Sequence, residues 1–194
     1  MCIESILKKP LLIIWWNFLI FFLCGVVQGE ASISITTQRL ETKYTFIHYQ
    51  SLKDLKKFDQ KVDYSPEEWG IKRLFSSSDS HDMIDKLKKK VDALYERVQE
   101  ILDMRKKMKK VTINIYYNKK QLHAAYQKIY KKPRKIRAWY IYEYNAIYIS
   151  VDDLHEGILA HEMAHSIIDH YLTVRPPAAT AEILARYVDS HLFE

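Results

Sequence analysis

Apolar positions recur along this chain in two rhythms, one close to the helical repeat of 3.6 and one of two, and the rhythms alternate. Leu87, Val91, Leu94, Val98 and Ile101 fall at alternating helical spacings, which predicts one long helix from about Asp82 to Met104. Val111-Thr112-Ile113-Asn114-Ile115-Tyr116-Tyr117 alternates instead, as a half-buried strand does. Thr45 to Tyr49 is a second strand, followed by a helix from an N-capping Ser51 toward Val62. Trp69 to Ser80 reads as a loop with the polar tip Ser76-Ser77-Ser78-Asp79-Ser80. Leu122 to Tyr130 is a short helix stopped by Pro133, and Ile136–Tyr144 and Asn145–Val151 are strands. A tight hairpin around Glu143-Tyr144-Asn145 joins those two strands, since Asn accepts turn geometry. Asp152 and Asp153 offer an N-cap to the next helix, entered through Leu154–Ala160. A final helix runs over Ala178–Val188, after the helix-ending pair Pro176-Pro177. The order β-α-α-β-α-β-β-α-α implies an α+β fold with a mixed sheet packed on helices.

The N-terminus has a different character. Lys8 and Lys9 precede Leu11–Val27, a run of seventeen residues interrupted only by Asn17 in its apolar character. Val27-Gln28-Gly29 provides short residues at the −3 and −1 positions of a cleavage site before Glu30. Residues 1–29 therefore read as a signal peptide or, uncleaved, as a membrane anchor somewhat shorter than the ~20 residues of a comfortable span. Either way residues 30–194 form a single domain on the outside, periplasmic or extracellular. Both cysteines, Cys2 and Cys24, lie in this leader, so the domain has no disulfide and depends on its core and any bound metal.

The formal charge of +6 conceals a division. Lys86 to Arg137 carries eighteen Lys and Arg against four Asp and Glu, whereas Ala138 to the end carries two against nine. The basic stretch is a candidate surface for anionic lipid or an acidic envelope polymer, although a solvated helix face explains the same charges. An exported protein is not expected to meet nucleic acid. Trp139-Tyr140-Ile141-Tyr142-Glu143-Tyr144 is a candidate peptide-binding edge strand, and hairpin packing accounts for its aromatics equally well.

Against this background His161-Glu162-Met163-Ala164-His165 carries the chemistry. On a helix His161 and His165 project from one face and can hold one ion, while Glu162 lies one step around, beside the ligand set. Neutral imidazoles as ligands and an adjacent carboxylate as base are what a zinc hydrolase needs. Ile158, Leu159, Ile167 and Ile168 give the same helix an apolar stripe. Zinc requires a third protein ligand. A metzincin would have Gly and His where this chain has Ile168 and Tyr171, so that solution fails. A glutamate on the following helix remains, and Glu182 is seventeen positions after His165, far enough for an antiparallel return.

Leu159-Ala160-His161-Glu162-Met163-Ala164-His165 and Glu182-Ile183-Leu184-Ala185-Arg186-Tyr187-Val188 together resemble the gluzincin metallopeptidases, most closely their single-domain members, the minigluzincins. The second segment is similar to the family pattern E-G-L-A-x-Y, with Ile183 in place of glycine near the metal. The resemblance covers roughly residues 138–194 and implies a zinc-dependent peptidase acting on peptide or protein substrates. It implies one zinc ion held by His161, His165 and Glu182, with Glu162 as general acid/base that takes the proton of the attacking water and returns it to the departing amine. Two departures stand out: Ile183 is expected to crowd the cleft, and Arg186 stands where thermolysin-like enzymes have an aspartate that supports a zinc-binding histidine. Asp189, seven after Glu182 on nearly the same helix face, is a candidate substitute for that aspartate. A tetrahedral oxyanion needs a further donor, for which Tyr187, His191 and Tyr171 are candidates. The alternative is a non-catalytic zinc-binding envelope protein that interacts through its basic face.

Overall fold

The computed structural model describes residues 37–64 and 80–194 of the chain. The leader 1–29 lies outside the described residues, as does the expected loop Trp69–Ser80 except for Ser80, which begins a helix two residues before the expected start at Asp82. Strands β1 (Gln38–Glu41) and β2 (Thr45–Tyr49) are followed by helices α1 (Leu52–Lys61) and α2 (Ser80–Ile101). Then come β3 (Val111–Tyr116), α3 (Lys119–Tyr130), β4 (Ala138–Ile141), β5 (Ala146–Ser150), α4 (Glu156–Tyr171) and α5 (Ala178–His191). The fold is α+β, a mixed sheet packed on helices. Among the described residues no helix is long and apolar enough to cross a membrane.

The sheet runs β1-β2-β3-β5-β4. Its centre is parallel, with Ile47 opposite Ile113 and Ile113 opposite Ile147; both outer pairs are antiparallel. Alternation decides which face is covered. Val111, Ile113 and Ile115 are buried while Thr112, Asn114 and Tyr116 between them are only partly so. The buried face meets Leu55 and Phe58 of α1, Leu87, Val91 and Leu94 of α2, and Leu159, Met163 and Ile167 of α4 in one core cluster. Burying each such side chain contributes about 1.5–3 kcal/mol, which is what holds a disulfide-free domain together.

Local chemistry sets the element boundaries. Ser51 caps α1 in a reciprocal box: Ser51 Oγ accepts from Asp54 N at 3.3 Å and Asp54 Oδ2 accepts from Ser51 N at 2.9 Å. Helix α2 stops at Ile101, short of Met104, because Asp103 turns left-handed at φ 51 and Gln99 Nε2 ties down the carbonyls of Met104 and Lys106. Strand β4 is shorter than the expected 136–144: Ile136 is bound to the His123 ring, and the β-turn begins at Tyr142. Strand β1 was not anticipated by the alternation pattern, since its residues Gln38-Arg39-Leu40-Glu41 are mostly polar and exposed.

The cap of α4 is also different. His155 is the N-cap, its Nδ1 accepting from Ile158 N at 3.4 Å. Asp152 and Asp153 are engaged elsewhere, by Lys57 Nζ at 2.8 Å and Lys119 Nζ at 2.7 Å respectively, and so are not free to cap.

Candidate metal centre

Helix α4 packs against the edge strand β4 and against α5, and the candidate site lies where these three elements meet. Leu159, Met163, Ile167 and Ile168 bury one side of α4, which leaves His161 and His165 partly accessible on the other. Helix α5 approaches through Ala181, Ala185, Val188 and Leu192, all buried. The small side chains at 181 and 185 bring Glu182, the neighbour of Ala181, onto the histidine pair.

Three donor atoms converge. His161 Nε2 and His165 Nε2 are 3.3 Å apart, and Glu182 Oε2 is 3.6 Å from the first and 3.5 Å from the second. Donors bound about 2.0–2.2 Å from a tetrahedral zinc lie about 3.3–3.6 Å from one another. The donor set, two imidazoles and one carboxylate, matches an open zinc site in chemistry as well as in spacing. Burial lowers the pKa of His165, favouring the neutral imidazole that a metal requires. A hydrogen bond from Arg186 is the main cause that lowers the pKa of Glu182, favouring the carboxylate.

Glu162 is buried beside this triangle, and burial, with repulsion from Glu182 second, pushes its pKa up to about 8. A carboxyl held that high exchanges a proton near neutral pH, as a general acid/base must. A cavity of about 510 Å³ opens over the cluster, lined by His161, Glu162, His165 and Glu182 together with Trp139, Tyr140, Arg134, Asp169 and Arg175.

No family model, curated protein or solved structure matches the chain. The functional reading therefore stands on the residues and their geometry.

The other candidates are placed elsewhere. Tyr187 is half exposed and stacks on His191, ring centroids 3.9 Å apart, along the outer face of α5. Tyr171 lies at the end of α4 under the ammonium of Lys106. None of the three lines the cavity over His161, His165 and Glu182. Ile183 does not crowd the cleft as expected, being 68% exposed on the solvent side of α5. Asp189 sits with its Oδ1 against Gly157 at the start of α4, so closely that a Cβ at 157 would collide with it. Gly157 permits this approach of α5, and the carboxylate faces a helix N-terminus, whose dipole favours it.

Several residues of the cavity carried little sequence signal. Asp169 is buried and accepts from Arg175 Nε at 3.0 Å and Nη2 at 2.9 Å. Its spacing after His165 puts it on the histidine face of α4, a signal legible in the sequence. Tyr140 stacks parallel to His165 at 6.5 Å between centroids. Its hydroxyl is turned away, 3.3 Å from His170 Nδ1 and 3.4 Å from Asn145 Oδ1.

Proposed function

We propose that the protein is a zinc-dependent peptidase of the gluzincin type, exported across a membrane. The observation that carries this reading is the near-equilateral triangle of His161 Nε2, His165 Nε2 and Glu182 Oε2, with sides of 3.3–3.6 Å. Residues 17 apart in sequence, on separate helices, meet at the edge lengths of a zinc tetrahedron. A hydrogen-bonded pair of histidines would not need the carboxylate equidistant from both.

His161, His165 and Glu182 would hold the zinc, which would supply Lewis-acid polarisation of a peptide carbonyl and acidify a water at the open position. Glu162, beside the triangle and outside it, accepts the proton from the attacking water and returns it to the departing amine. Strand β4 ends the sheet, and its Ala138, Trp139 and Tyr140 line the cavity, so an extended peptide laid along that edge would bring a scissile bond over the histidines.

One observation favours the alternative of a non-catalytic zinc-binding protein: Tyr171, Tyr187 and His191 all lie off the cavity wall. Metal analysis of the purified protein, combined with a cleavage screen on proteome-derived peptides, decides between them. One zinc per chain with hydrolysis that is lost in Glu162→Gln supports the peptidase. One zinc per chain with no cleavage of any peptide supports the alternative, and protein that stays metal-free in micromolar zinc overturns both.

A further inference from the structure

The loop between α3 and β4, Lys131-Lys132-Pro133-Arg134-Lys135-Ile136-Arg137, holds five cations and no acidic residue. All five are exposed. Several cations elsewhere on this surface are matched, Lys57 by Asp152, Lys90 by Asp59, Lys110 by Glu41 and Lys119 by Asp153. Among the described residues none of the five loop cations has an ion-pair partner.

The loop is nevertheless held. Lys131 closes α3 in a left-handed conformation at φ 57, its N–H donating to Gln127 O at 2.8 Å. His123 Nε2 lies 3.0 Å from the carbonyl oxygen and 3.3 Å from the nitrogen of Ile136, pinning the far end of the loop to α3. Pro133 stiffens the middle. The cations are thus presented from a fixed frame at little entropic cost.

That frame stands at the mouth of the metal cavity, since Arg134 and Ile136 line it together with His161, Glu162, His165 and Glu182. Within the cavity Arg175 is matched by Asp169 and Glu182 by Arg186. Arg134 is left as the unmatched charge, and a divalent ion would add to the positive potential focused there.

We infer that the substrate is an acidic polypeptide segment whose carboxylates engage Arg134 and its neighbours in the 131–137 loop. The inference rests on the peptidase reading and names the substrate class of that site. A nucleic acid fits less well, because Trp139 already stacks one face on Tyr148 at 4.6 Å and meets Tyr126 at 5.3 Å, which favours packing over a base platform. A membrane surface fits less well because Arg134 lines a cavity wall rather than a plane.

The test uses the full chain carrying Glu162→Gln, loaded with zinc, so that binding is read without turnover. Labelled ten-residue peptides of alternating Ala with Glu, Gln or Lys are titrated by fluorescence anisotropy, at low and at high salt. The Glu peptide should bind at least tenfold tighter than the Gln peptide, with the difference shrinking in high salt. Arg134→Glu with Lys135→Glu should abolish that preference while leaving zinc content and melting temperature unchanged. Arg134→Ala alone serves if the double reversal fails to fold. Equal binding of Glu and Gln peptides, a preference that survives loop reversal, or recruitment to phosphatidylglycerol vesicles without peptide preference would overturn the inference. Failure of the peptidase reading registers separately, as wild-type protein that takes up no zinc or cleaves none of the peptides.

Discussion

Arg186 Nε donates to Glu182 Oε1 at 2.8 Å, and this leaves Oε2 alone facing the two histidines. The residue that departs from the thermolysin-like pattern therefore acts on the carboxylate ligand rather than on a histidine. Holding one oxygen fixes the rotamer of Glu182 and directs a single oxygen at the histidine pair, where the proposed zinc would sit. Partners of this kind are worth 10–100-fold in metal affinity, and the pair is exposed enough for solvent to screen it. Arg186→Ala should accordingly weaken zinc binding by about tenfold, at the low end of that range. Competition against a chromogenic chelator measures it, and an affinity within twofold of wild type would show that Glu182 orients unaided.

The two residues at the head of the motif should separate metal binding from chemistry. His161→Ala leaves one imidazole and one carboxylate, too few for a stable site, and should remove nearly all zinc from the purified protein. Glu162→Gln preserves all three donors and should retain zinc while lowering single-turnover hydrolysis by at least about 100-fold. Full activity in the glutamine variant would remove Glu162 from the acid/base role.

How far the sequence reached depends on the range of the interactions involved. The α2 stripe Leu87, Val91, Leu94 and Val98 is fully buried, because periodicity alone fixes a helix face. The Ser51 cap was legible for a similar reason, lying within three residues of its partner. The donors His161, His165 and Glu182 are brought together as their spacing suggested. What sequence could not supply were choices among competing partners. Asp152 and Asp153 had good capping chemistry, but Lys57 and Lys119, distant in sequence, took them. Asp189 shares a face with Glu182 over one span of α5, yet the helix crossing carries it to Gly157 and away from the histidines. Strand β1 forms because β2 offers it a partner, with Leu40 opposite Ile47, and not because its own pattern calls for a strand.

Metal removal should expose the buried acid. The folded pKa of Glu162, about 8, lies above its ordinary value, so the folded metal-free chain keeps a proton that the unfolded chain releases between about pH 4.5 and 8. The stabilising effect of that proton is complete below the unfolded pKa and is lost as pH rises through the folded one. Compared with Glu162→Gln at each pH, chelator-treated wild type should lose about 5 °C in melting temperature from pH 5.5 to 8.5. Saturating zinc should close the gap, because the cation stabilises the carboxylate. A difference that stays flat across this range would place the titration of Glu162 outside it.

Asn145 joins the hairpin to the histidine-bearing helix α4, and its replacement should be felt at both. Its backbone is left-handed at φ 43, its Oδ1 accepts from Ser166 Oγ at 2.7 Å, and its Nδ2 donates to the carbonyls of Lys109 and Lys110. Ser166 follows His165 directly, so this one side chain couples the β4–β5 turn to the helix that carries the donors. Alanine at 145 loses the hydrogen bonds, worth about 1 kcal/mol each, and adds about 1–2 kcal/mol of left-handed strain. Glycine loses the same bonds without the strain. Asn145→Ala should thus destabilise the protein by about 4 kcal/mol, and Asn145→Gly by roughly 1 kcal/mol less. Urea denaturation of the two variants measures both values. Equal losses would show that strain at this turn contributes nothing, and no loss in either would show that the hairpin is fixed to α4 by other contacts, such as the stacking of Tyr140 on His165.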